Sequence, residues 1–275
     1  MFTFHVGPIF EGAVDWLNVN FAPFFDLIKS FLLALISNLE MLLLAVPSLI
    51  LIAFIALIAW KTAGKGVALF AFLGLLFVNG MELWPETMAT LSLVLSAALM
   101  ALVVGIPLGI LSARNSTVDY IIRPLLDLMQ TMPAFVYLIP AVLFFELGDV
   151  PGAVATIIFS MPPAVRLTTL GIRQVPEEVV EAAMAFGSTP KQLLFKVQVP
   201  LAIPTILAGV NQTIMLALSM VVIAAMIGAG GLGIVVLRGI TQLKFGMGFE
   251  GGLAVVILAM VLDRITQSLG RGAAK

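Results

Sequence analysis

The chain has no cysteine and a single histidine among its 275 residues. Without cysteine there is no disulfide framework, no thiol nucleophile and no cysteine metal site. The lone histidine, His5, reads as a solvated residue of the N-terminal tail. A metal centre or a Ser-His nucleophile pair therefore cannot be assembled within the body of the chain. An aspartyl pair from Asp127 and Asp263 would be the remaining route to an intramembrane enzyme, and no motif accompanies it. Charge is equally scarce: 11% of residues are Asp, Glu, Lys or Arg, against roughly 25% in a soluble domain. The net charge of −1 offers no basic footprint for nucleic acid. A phosphate-binding loop is missing too. Gly64-Lys65 is followed by Gly66, with no glycine at the required upstream position, so ATP hydrolysis by that route is excluded. No basic stretch leads into an apolar run at the N-terminus, which predicts no cleavable signal peptide.

What is abundant is apolar. Hydrophobic residues make up 61% of the chain and the mean hydropathy is +1.16. Apolar runs of ~20 residues read as helices that cross a bilayer. They predict an all-α membrane protein, a polytopic helical bundle of about seven spans at 41–60, 65–81, 86–112, 122–147, 151–170, 199–228 and 248–269. Three regions follow. Residues 1–40 form an N-terminal extracytoplasmic or interfacial segment, in which Phe21 to Leu39 has the pattern of an amphipathic helix along the membrane surface. Residues 41–81 supply two accessory transmembrane helices. Residues 82–275 form a five-helix core with a loop at 174–198. Trp60 and Trp84 suit the headgroup layer. If that loop is cytoplasmic, eleven of the fourteen Lys and Arg lie on the cytoplasmic side, leaving Lys29, Arg238 and Lys244 outside. The positive-inside rule then puts the N-terminus outside and the C-terminus in the cytoplasm.

The loop at 174–198 is patterned. Pro176 suits a first helical turn, and Glu177, Glu178 and Glu181 place negative charge at the positive end of a helix dipole. Gly187 can take the left-handed conformation that ends the helix. Thr189, Pro190 and Gln192 read as the capping box of a second helix, and Pro200 marks the start of the next span. The first helix, about ten residues, is too short to be stable alone in water. It either packs as a hairpin beneath its own bundle or docks on a partner, with Phe186 as its large apolar anchor and Ala182, Ala183 and Ala185 keeping it slim.

These residues carry a resemblance. Glu181-Ala182-Ala183, then Gly187, then Val197-Gln198-Val199-Pro200 after nine residues, resemble the EAA motif of ABC importer permeases, usually written EAA, three residues, G, nine residues, I-x-L-P. Val197 and Val199 stand for its Ile and Leu and remain apolar. The stretch from Leu126 to Pro140, Gly209 to Met215 and Gly228 to Gly233 are similar to permeases for glycine betaine, proline betaine and related quaternary amines, and the similarity covers about residues 40–270. Choline, carnitine and trimethylamine N-oxide carriers look alike. The resemblance implies a type I importer permease core in the bacterial plasma (inner) membrane. The loop helix would be its cytoplasmic coupling helix, with Glu181, Ala182, Ala183, Phe186, Gly187 and Pro200 coupling to the ATPase. It implies as partners a second permease copy in a likely homodimer, two ATP-binding subunits and an extracytoplasmic solute-binding protein. ATP and Mg would be bound by the ATPase, and this chain would hold no cofactor or metal.

For the translocation pathway the candidates are Met132, Phe135, Tyr137, Asn211, Gln212, Met215 and Ser219. An aromatic cage would suit a quaternary ammonium, but only Phe135 and Tyr137 are placed for one. Trp60 and Trp84 sit at interfaces, and Tyr120 falls in a cytoplasmic loop. Packing within the bundle is the alternative for each candidate, and hydrogen bonding between helices is the alternative for Asn211 and Gln212. Asp127 lies four residues after Arg123, a spacing for an ion pair across one helical turn. Gly228 to Gly233 reads as a flexible extracytoplasmic turn. The competing function is an ion-gradient-driven secondary transporter of small osmolytes, with Asp127 or Asp263 as ion carrier.

Overall fold

The structure is a computed structural model that describes residues 6–272; His5 lies outside them. Among the described residues there are helices, turns and no strand. In chain order they are α1 (Val6–Ala45), α2 (Ser48–Ala63), α3 (Lys65–Gly80), α4 (Trp84–Arg114), α5 (Ser116–Thr131), a 3-10 turn (Ala134–Tyr137), α6 (Leu138–Phe145), α7 (Asp149–Arg173), α8 (Glu177–Ala185), α9 (Pro190–Gln192), α10 (Val199–Ser219), α11 (Val221–Ala225), α12 (Leu232–Thr241) and α13 (Phe245–Gly272). Five stretches are long and apolar enough to cross a membrane. A sixth is the pair formed by α5 and Ala134–Phe145, which bends by 110° at Met132-Pro133. Pro133, as the residue before the 3-10 turn, forces Met132 into the extended conformation that ends α5.

The core is the seam where α4, α7 and α10 meet. Small residues let the backbones approach: a Cβ on Gly109 would lie 2.6 Å from Thr168 Cβ and 2.7 Å from the Val165 carbonyl oxygen. Close contact through small residues is how apolar helices associate in lipid, where burial alone gives no preference for protein over tails. The hydroxyl of Thr169 adds a bond across the same seam, donating to the Gly109 carbonyl at 3.0 Å. α7 runs unbroken from Asp149 to Arg173 despite Pro162 and Pro163 at its centre. Prolines are tolerated in a spanning helix whose neighbours re-satisfy the freed backbone groups.

The N-terminal third differs from the sequence expectation in two places. The boundary at 40/41 falls inside α1, which continues to Ala45, and the break comes at Val46-Pro47, inside the span expected at 41–60. Pro47 cannot donate to the preceding turn, so the chain restarts there as α2. α2 and α3, at 16 residues each, reach ~24 Å, short of the ~30 Å hydrocarbon core. They pack on each other as a hairpin around Gly64 and against α13. α1 changes neighbours along its length. Asn18 donates to the Leu143 carbonyl of α6 (3.1 Å), Leu32 packs with Phe145 and Val150, and Leu43 joins the cluster of Leu51, Leu75 and Met88. Kinked at Phe21, it runs along these neighbours as a strap.

The turn from Gly228 to Gly231, expected to be flexible, is pinned. The Gly148 amide donates to the Ile227 carbonyl (2.9 Å), the Gly230 amide to Asp149 Oδ1 (2.8 Å) and the Leu232 amide to Thr90 Oγ1 (2.8 Å). The acceptors Asp149 and Thr90 lie more than eighty residues away in sequence, which no local pattern encodes.

Candidate functional site

α8 stands at the end of the bundle where α4 and α7 finish. Its entire length lacks a buried residue. Pro176 is the residue just before the helix rather than its first position, with an extended ψ of 135°. Glu177 and Glu178 occupy the first turn, where the unpaired amides and the dipole favour them. The helix ends as the glycine dictates. Gly187 has φ +80°, its amide donates to the Met184 carbonyl (2.9 Å), and the Ser188 amide reaches back to Ala183 (3.1 Å). A side chain at Gly187 would meet no neighbour, so the requirement for glycine is conformational. Phe186 is 93% exposed, and Met184 and Val179 are also solvent-facing. Ala183 is half-buried; Glu181 and Ala182 are exposed.

The return limb is capped and packed. Thr189 and Gln192 form the expected capping box, with the Thr189 amide donating to Gln192 Oε1 at 2.9 Å and the Gln192 amide to Thr189 Oγ1 at 3.3 Å. From Pro190 the helix runs through a π-helical turn, Leu193–Gln198, directly into α10, with Pro200 in its first turn. Leu194 is 2% exposed and packs with Ile172 of α7 and with Ala202 and Ile206 of α10. One buried side chain thus ties the return limb to two helices of the central seam.

The structure separates the pathway candidates. Gln212, Met215 and Ser219 recur at helical spacing on α10; Gln212 and Ser219 are exposed and Met215 half-buried, so they form one stripe. Asn211 turns inward, where its side-chain amide donates to Asp263 Oδ1 (3.1 Å) and its Oδ1 accepts from the Thr266 hydroxyl; Gln267 also donates to Asp263 (2.8 Å). Tyr137 is buried against Met220 with the half-buried Met132, its ring edge-on to Phe159 and its hydroxyl donating to the Met129 carbonyl. Phe135 is 53% exposed on the 3-10 turn. Phe135 and Tyr137 therefore do not share one open face.

Two charge assignments need correction. Asp127 pairs with Arg166 of α7 (2.5 Å), not with Arg123, which instead pairs with Asp119 (2.9 Å). Arg173 reaches the same Asp119 oxygen at 2.9 Å. The i, i+4 spacing offered two partners to Arg123, and the packing of α7 against α5 decided between them. Tyr120 lies on α5 rather than in a loop, because Asn115 caps that helix by accepting from the amides of Thr117 and Val118. Asp119, Arg166 and Arg173 went unnoticed as a group; their signal was charge inside apolar stretches.

The described residues form a helical membrane bundle with a slim, largely exposed helix at one end, followed by a limb that a buried leucine ties to the central helices. Residues 105–275 match the family described as binding-protein-dependent transport system inner membrane component, and the chain belongs to that family. It is similar to the glycine betaine transport system permease protein OpuAB of Bacillus subtilis, 52% identical over 95% of this chain and 93% of that one. It is equally similar to the glycine betaine/proline betaine transport system permease protein ProW of Escherichia coli, 52% identical over 94% of this chain and 73% of that one. In fold it matches the solved MetNI methionine ABC transporter in an inward-facing conformation, with a TM-score of 0.65 at 20% identity, over 70% of this chain and 96% of the other. The chain is thus a multi-pass inner-membrane permease subunit of an ABC importer, a transport component rather than an enzyme, and not an ion-gradient carrier.

Proposed function

We propose that this permease carries glycine betaine or a closely related quaternary-amine osmolyte, and that α8 is the element through which a separate ATP-binding subunit drives it. The observation that carries the coupling role is the bare surface of α8: no buried side chain, three carboxylates, and Phe186 93% exposed at its end. Such a short helix gains its order from contact, and its own bundle covers only part of it. The substrate class is supported by relatives at 52% identity over nearly their whole shared length. Two copies of the chain, two ATP-binding subunits holding ATP and Mg, and an extracytoplasmic binding protein complete the assembly. Glu181, Ala182, Ala183, Phe186, Gly187 and Pro200 form the coupling element, and the α10 stripe of Gln212, Met215 and Ser219 lines the translocation pathway. The excess of Lys and Arg at the α8 end supports a cytoplasmic position for α8 and for the C-terminus, with the N-terminus outside.

The test uses Gly187→Trp and Glu181→Lys. Both leave the bundle untouched, since nothing lies within 4 Å of a Gly187 Cβ and Glu181 is exposed. Membrane insertion should persist while ATP-driven uptake of glycine betaine is abolished. Normal uptake in both variants would remove α8 from the mechanism.

A further inference from the structure

A cavity of about 420 Å³ opens between α4, α5 and α7 at the α8 end of the bundle, apart from every residue assigned above to coupling or to the pathway. In a chain so poor in charge, three arginines and two aspartates line it: Arg123, Arg166, Arg173, Asp119 and Asp127. Asp119 is shared by Arg123 and Arg173, Asp127 is held by Arg166, and one positive charge is left over. Ser112 lines the same space, and its buried Oγ has no hydrogen-bond partner among the described residues. Leu126 and Val165 supply an apolar wall. The site therefore offers surplus guanidinium, an accessible carboxylate, an orphan hydroxyl and a dry surface within one small volume.

We propose that this cavity binds the transported solute as a zwitterion at the inner end of the bundle. Arg123 receives the carboxylate, and Asp127, beside the apolar wall, receives the quaternary ammonium. The inference rests on the substrate class proposed above. The existing ion pairs do not close the site. Arg123 is 65% and Asp127 66% exposed on their side chains, and ion pairs so open to water are weak. A zwitterion meets both groups at once: its carboxylate takes Arg123 while Arg173 keeps Asp119, and its ammonium takes Asp127 beside Arg166. A simple cation faces the surplus guanidinium and a simple anion leaves Asp127 unmet, so a group that carries both charges fits better than either alone.

The shared chemistry, an anion and a quaternary cation on one small group, also occurs in phosphatidylcholine headgroups, and the experiment separates the two sources. The permease with its ATP-binding subunits, free of binding protein, is placed in phosphatidylglycerol nanodiscs. Saturation-transfer NMR then follows the N-methyl protons of glycine betaine. The wild type should give transfer, Arg123→Gln and Asp127→Asn should each weaken binding by about tenfold, and Arg123→Lys should restore most of it. Acetate or tetramethylammonium at equal concentration should not compete. Transfer unchanged in both variants, competition by acetate alone, or suppression by added phosphatidylcholine would overturn the site. Uptake of glycine betaine is measured alongside with the wild-type complex in sealed proteoliposomes, supplied with ATP and the binding protein. Uptake that persists while the site fails leaves the proposed function standing, whereas absent uptake removes the substrate class itself.

Discussion

Glu146 shows how much a single residue can reveal. It adopts φ +65° between α6 and α7, a conformation that is costly for a non-glycine side chain. Its carboxylate accepts a 2.6 Å hydrogen bond from Lys29 Nζ on α1. That bond and the lysine charge hold the Glu146 carboxyl below its usual 4.5. A carboxyl depressed in the folded state stabilises it fully above the unfolded pKa, and the contribution is lost as pH falls through the folded value. Thermal stability of the purified protein should therefore fall between about pH 4.5 and more acid conditions, and Lys29→Met should remove that part of the pH dependence. An identical acid profile in the variant would show that the strap is not fastened there. The same scale explains what the sequence hid. Gly187 and the Thr189–Gln192 box were legible because their partners lie within five residues. The partner of Asp127 is 39 residues away, and only the packing of α7 on α5 could name it.

Among the elements, α8 and its return limb were legible almost to the residue because proline, glycine and capping signals are local. The long apolar helices were legible from composition, but not their breaks. Pro47 divides an apolar run that reads as one span, while Pro162 and Pro163 leave α7 intact. The difference lies in the neighbours each segment finds, which hydropathy does not carry. The element with the sharpest mechanical role is the π-helical turn before α10. If Leu194 delivers motion to Ile172, Ala202 and Ile206, then Leu194→Ala should open a cavity costing about 2–5 kcal/mol and loosen that joint. The expected phenotype is uncoupling: ATP hydrolysis by the assembled complex continues while uptake falls steeply. Loss of both activities together, with normal assembly, would place Leu194 in docking instead of transmission.

For the whole molecule, the account is of a bundle with no energy source of its own. Its central seam is close-packed, α1 packs along it as a strap, and α8 lies largely exposed at the end where arginines and lysines concentrate. In the function proposed here, work enters through α8, passes Leu194 and moves α7 and α10. The absence of cysteine makes this directly measurable, because a single introduced thiol is the only one in the chain. Met184→Cys places that thiol on the exposed face of α8. Treatment of the reconstituted complex with a short bifunctional cross-linker, joining that thiol to cysteines along the groove of the ATP-binding subunit, is the most direct test. The account predicts covalent capture of the ATP-binding subunit and arrest of ATP-driven glycine betaine uptake in the captured fraction. Uptake that continues without α8 touching that subunit, or uphill uptake by the permease alone on an ion gradient, would contradict it.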